Sequence, residues 1–230
     1  MQVELTARWH GVFPGSHVGL LLVGNVDNHK RSTPLDDRKL EVQAELRRKY
    51  GGLSRTELQE LEVLRAYRAY YRRFDQTYHV QSQLESVAHK NKSLPNVNPL
   101  VDANFVAELQ SLVLTAGHDA DLLELPLRID ATRGGEAFEQ MNGTARTLKP
   151  NDMMMLDASG IVCTILFGQD KRSAISERTR RALYIAYAPV GVPFEAVQTQ
   201  LELICDCVLL VAPEAVIESL EVHASNGAGL

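Results

Sequence analysis

Four turn signals in close succession, Gly134-Gly135, Asn142-Gly143, Pro150-Asn151 and Ser159-Gly160, exclude a long helix from the middle of this chain. The runs around them, LPLRIDATRG, ARTLKPNDMMMLDASG and IVCTILFGQD, are rich in β-formers and read as short strands. The middle is therefore expected to be β-rich.

The flanks follow a different pattern. HVGLLLVGNV is a continuous apolar run bordered by glycines and reads as a buried strand. Thr33 followed by Pro34 marks a helix start, Asp36 and Asp37 suit the positive end of its dipole, and Gly51-Gly52 ends it. Ser54 to Glu57 has the form of a capping box and opens SRTELQELEVLRAYRAYYRRF. On that helix Tyr67, Tyr70, Tyr71 and Phe74 gather opposite a stripe of Arg65, Arg68 and Arg72. The stripe reads either as a solvated face or as a phosphate contact, because guanidinium groups match phosphate oxygens in pairs. LVDANFVAELQSLVL returns to helical spacing after Pro95 and Pro99. ALYIAYA reads as a strand, and Val197, Leu201, Ile204 and Val208 give VPFEAVQTQLELICDCVLLVAP the period of a closing helix.

With 24 Lys+Arg against 29 Asp+Glu the formal charge is −5, so any RNA contact must be local. The start MQVELTARWHG lacks the plan of a signal peptide, and no apolar run is long enough to span a membrane. The expected location is cytoplasmic. Three cysteines do not make a disulfide framework, and Cys205 and Cys207 point to nearly opposite faces of a helix, which favours packing over a metal clamp. Neither metal nor cofactor is expected.

Polar residues concentrate in LPNVNPLVD and GHDAD. Asn96 and Asn98 read as turn formers or as cleft groups, and Asp102 reads as a first-turn acid or a ligand contact. His118 beside Asp119 supplies an imidazole with a neighbouring carboxylate. The Gly-Gly-Glu ending at Glu136 reads as a hairpin turn. Asp157 and Asp170 adjoin glycine-containing turns, while Lys171, Arg172, Arg178, Arg180 and Arg181 make a second cationic stretch. Motifs of serine hydrolases, zinc proteases and P-loops are absent.

LPNVNPLVDANF, TAGHDAD, GGEAF, LKPNDMMMLDASGIV and FGQDKRSAISERTRRALYIAYAP, in that order, resemble the editing-domain family of the phenylalanyl-tRNA synthetase beta subunit. The resemblance implies an α+β fold with a barrel-like β-sheet and flanking helices. One compound domain is expected over residues 1–222: amino-terminal strands and helix at 1–60, a family core at 61–212, then a flexible tail at 223–230. It also implies hydrolysis of the ester of a mischarged aminoacyl-tRNA. In that reading His118 and Asn98 orient the water or the ribose hydroxyl. Asn96, Asp102, Gly117, Asp119, Glu136, Asp157, Gly168 and Asp170 contact substrate in one cleft, and Arg65, Arg68, Arg72, Lys171, Arg172 and Arg178 contact the tRNA. The alternative is a noncatalytic module that binds an amino acid or a nucleotide-like ligand. The oligomeric state is not legible.

Overall fold

The computed structural model describes residues 2–28 and 31–225. The amino-terminal part is β1 (Val3–Leu5), α1 (Ala7–Val12), β2 (His17–Gly24) and α2 (Thr33–Tyr50). Four helices follow, α3 (Arg55–Gln59), α4 (Glu62–Arg72), α5 (His79–Ala88) and α6 (Pro99–Ser111). The β-rich middle then supplies β3 (Thr115–Asp119), β4 (Leu127–Ala131), β5 (Ala137–Glu139), β6 (Ala145–Thr147), β7 (Met153–Asp157), β8 (Gly160–Thr164) and β9 (Gly168–Gln169). The chain continues through β10 (Ala182–Ala188), α7 (Phe194–Val211) and β11 (Val216–Ala224).

Local chemistry explains most boundaries. Ser32, one residue before the expected cap, accepts from the Leu35 N–H and starts α2. The capping box at Ser54 and Glu57 forms as read, but it opens only α3, and the chain breaks at Glu60–Leu61 before α4. Thr6 caps α1 by accepting from the Trp9 N–H, so β1 before it is short.

The strands make a five-stranded sheet, order β1-β4-β7-β8-β9, a four-stranded sheet, order β11-β2-β10-β3, and a β5-β6 ribbon. The α+β class stands, and among the described residues no sheet closes into a barrel. The connection 170–181 passes β3 with an isolated bridge, His118 to Ala174, and no ladder. β11 carries strand structure through Ala224, into the first two residues expected for the tail; residues 226–230 lie outside those described.

The continuous apolar run became β2, flanked by β10 and β11 and buried along nearly its whole length. α7 packs across this sheet and against α6. A Cβ at Gly19 would stand 2.7 Å from Val197 Cγ1 and 3.1 Å from Leu201 Cδ1, so glycine permits the close approach of α7.

The aromatic face of α4 joins the helices to both sheets. Tyr67, Tyr70, Tyr71 and Phe74 are buried, each contributing about 1.5–3 kcal/mol by burial. The three tyrosine hydroxyls find partners too: Tyr67 donates to the β10 carbonyl of Tyr187 (2.6 Å), Tyr70 to Asp152 Oδ1 (2.7 Å) and Tyr71 to the Ile165 carbonyl (2.8 Å). A buried tyrosine needs such an acceptor for its polar tip.

A candidate ligand cavity beside α6

The asparagines and aspartate of LPNVNPLVD are drawn together by Lys39, a buried lysine of α2. Its ammonium donates to the Pro95 carbonyl (3.0 Å), Asn96 Oδ1 (2.7 Å) and Asp102 Oδ2 (2.5 Å), which uses all three protons. Asp102 Oδ1 accepts from the Val97 N–H. Asn98 caps α6 by accepting from the Val101 N–H, and its Oδ1 also accepts from Asn28 Nδ2 (3.0 Å). These groups fix the entry to α6. Asn28, Asn96, Asn98 and Asp102 line a polar pocket of about 240 Å³.

GHDAD is divided: Gly117, His118 and Asp119 end a strand, and Ala120 and Asp121 begin a short 3-10 turn. His118 lies in β3, fully buried, with Nδ1 2.7 Å from Ser173 Oγ; the same hydroxyl donates to Asp170 Oδ1 (2.5 Å). Burial, helped by nearby Arg172 and opposed by Asp157, holds the imidazole down at about 3. It is neutral at any physiological pH. Asp119 accepts from the Asp121 N–H and the Thr179 hydroxyl. Glu136 closes the glycine turn by accepting from the Arg133 and Gly134 N–H groups. Asp157 accepts from Arg172 (2.7 Å) and from the backbone of Glu124, Ser159 and Gly160. Burial alone would raise that carboxyl, but these bonds hold it below its ordinary range. Asp170, Lys171 and Arg172 border an outer groove with Ser159 and Gly160. The expected single cleft is thus divided: the strand pleat and the turns direct these side chains to local backbone or to different surfaces.

Of the cations, Arg65 and Arg72 are exposed on α4, and Arg68 bonds Gln59 Oε1 (2.8 Å). Lys171 and Arg178 are exposed, whereas Arg172 is engaged with Asp157.

One partly enclosed, largely apolar cavity of about 190 Å³ does draw together several of the named segments. Val101, Asn104, Phe105 and Glu108 enter from α6, Thr115, Ala116 and Gly117 from β3, Cys163 and Thr164 from β8, Gly168 and Gln169 from β9, and Tyr184 and Tyr187 from β10. Gly117 and Gly168 are therefore together, and His118, one position along the pleat, has its ring on Ser173. A Cβ on Gly117 would meet Ile175 Cδ1 at 2.8 Å and Tyr184 Cε1 at 3.1 Å.

The polar groups of this cavity are few. Asn104 gives Nδ2 to the Thr115 carbonyl (2.9 Å), leaving Oδ1 buried without a partner, and the Tyr187 hydroxyl is buried beside the Cys163 thiol. Glu108, 3% exposed, accepts from the Thr115 N–H (3.0 Å), yet burial pushes its carboxyl up to about 8. Asn104 and Glu108 form a polar pair one turn apart in an apolar helix, a spacing visible in the sequence. Lys39 and Asn28 carry no comparable local signal. Among the described residues no group of three or more His, Cys, Asp or Glu is placed to hold a metal ion, and no helix is long and apolar enough to cross a membrane.

The B3/4 domain family model matches residues 64–200. Among curated proteins none matches the sequence. A similar solved structure is an N-terminal fragment of the phenylalanyl-tRNA synthetase beta subunit from Pyrococcus horikoshii, 9% identical with a TM-score of 0.49. The alignment covers 96% of this chain and 50% of that fragment, so the chain spans about half its length.

Proposed function

The chain belongs to the B3/4 domain family, and from that premise we propose that its cavity receives the aminoacyl end of a mischarged tRNA and that the protein hydrolyses the ester. The observation that carries this reading is Glu108, a buried carboxyl lining the cavity and titrating near 8. A base works best when its pKa lies near the working pH. The cavity is smaller than the about 300–1,000 Å³ typical of cofactor-sized sites and suits a single amino-acid side chain.

In the reaction the ionised Glu108 takes a proton from water as its oxygen adds to the ester carbonyl. The carbon–oxygen bond to the ribose then breaks, and the departing oxygen recovers the proton from Glu108. Asn104 Oδ1, lacking a partner, is an acceptor for that water or for the substrate's ammonium. The Thr115 N–H keeps the carboxyl in place.

A second reading, a noncatalytic amino-acid-binding module, is favoured by one observation: the His118 imidazole is engaged by Ser173, outside the cavity lining. Incubation with a panel of mischarged tRNAs separates the two. Loss of ester from one amino acid–tRNA pair, absent in Glu108→Gln, supports the hydrolase; tight binding with an intact ester establishes the module; neither result removes both.

A further inference from the structure

The cavity does not end at its own rim. His79 and Phe105, two of its wall residues, also wall a groove of about 400 Å³ between α5, residues 92–95 and α6. Ser82 of that groove borders a third depression of about 370 Å³, where Arg55, Arg68 and Arg72 gather. The three spaces thus run in series across the amino-terminal half of α5.

Their chemistry changes along the series. The first is apolar with a few polar groups. The second has largely apolar walls, including Val87, Leu94, Pro95 and Leu109, with the His79 and Phe105 rings shared with the first cavity and Gln83 in its lining. The Gln83 Oε1 is buried and has no partner, a cost the fold carries without return in the free protein. The third is cationic: Arg68 is shared with Gln59 and lies 3.9 Å from Glu60, and Arg72 makes no ion pair among the described residues.

We infer that the α5 groove binds the terminal adenosine of the RNA, with its 5′ phosphates at Arg68 and Arg72. This rests on the reading of the cavity as the aminoacyl site. Amino acid, adenosine and phosphate follow one another on an aminoacylated 3′ end in the order in which apolar cavity, ring-edged groove and arginine cluster follow one another here. An adenine offers a flat face for stacking against His79 or Phe105. Its edge carries an amino donor beside a ring-nitrogen acceptor, the pair that a glutamine amide meets with both its atoms. The Gln83 oxygen accepts from the amino group and thereby gains its missing partner. Uracil presents a carbonyl where adenine has that amino group and leaves the Gln83 oxygen facing another acceptor.

The test uses the full chain and two ribotrinucleotides, CCA and CCU, with binding followed by calorimetry over a salt series. CCA is expected to bind about tenfold or more tightly than CCU. Gln83→Leu is expected to abolish the preference, and Arg72→Gln to weaken both oligonucleotides equally while flattening the salt dependence. Equal binding of CCA and CCU to the parent protein overturns the inference, whether or not the variants fold. So does an unchanged preference in a folded Gln83→Leu protein. Hydrolysis of a panel of amino-acid methyl esters, which lack the nucleoside, reads the cavity alone. Ester hydrolysis without CCA preference removes the groove assignment and leaves the cavity reading intact. A Gln83-dependent CCA preference without hydrolysis of any ester or mischarged tRNA upholds the groove and removes the hydrolase.

Discussion

Replacing Glu108 by Gln should make the protein more stable and less active at once. The side chain is buried, and its folded pKa of about 8 lies above the ordinary 4.5. The folded protein therefore keeps a proton that the unfolded chain releases. The resulting stability is full below about pH 4.5 and is lost as pH rises through about 8. At 1.36 kcal/mol per pH unit, the whole interval is worth about 5 kcal/mol, and about 3 kcal/mol is already lost at pH 7. Glutamine keeps the Oε1 that accepts from the Thr115 N–H and has no charge to desolvate. Urea unfolding should show parent and Glu108→Gln equally stable at pH 4.5 and the variant ahead by about 2–5 kcal/mol at pH 8. Ester hydrolysis should rise with pH toward about 8 in the parent and fall about a hundredfold to ten-thousandfold in the variant. A gap in stability that does not change with pH would show that Glu108 is not held protonated. Full hydrolysis by the variant would move the base elsewhere.

Lys39→Met leaves Asp102 buried without its cation and should cost about 3–5 kcal/mol in urea unfolding, much of it recovered by adding Asp102→Leu; little recovery would mean the clamp matters for packing rather than charge. His118→Ala should lower the melting temperature but leave the hydrolysis rate of the folded fraction unchanged, since the ring faces Ser173; a hundredfold rate loss would return it to the mechanism. Gly117→Ala should overpack the cavity against Ile175 and Tyr184 at a cost of about 1–3 kcal/mol and raise KM more for bulky than for small amino-acid esters. Equal KM changes for all esters would place the substrate elsewhere.

What could be read from the sequence was what neighbours in the chain decide. The tyrosine face of α4, the capping box at Ser54, β2, β10 and α7 each follow from a local period or cap, and the structure has them. What escaped depends on partners distant in sequence. GHDAD looks like loop because its polar residues outnumber its apolar ones, but Ser173 and Thr179 satisfy His118 and Asp119 inside the fold. LPNVNPLVD advertises polar groups without revealing that a lysine of α2 consumes them. β11 was missed because its half-exposed run contains a bulge between Ile217 and Ser219 that spoils the alternation.

The order β11-β2-β10-β3 separates two boundaries that are easily equated. Residues 64–200 hold the family signature and the cavity, yet β2 and β11, two of the four strands in that sheet, come from outside them. Excising the signature would strip β10 of the neighbour that pairs all seven of its residues and would cut α7 after residue 200, removing Leu201 and leaving Val197 without Gly19. It would also discard Lys39 and Asn28, leaving Asp102 and Asn98 to open the entry to α6. The unit recognisable by descent is thus smaller than the unit whose strands pair, and a fragment cut at the edges of the signature should be insoluble.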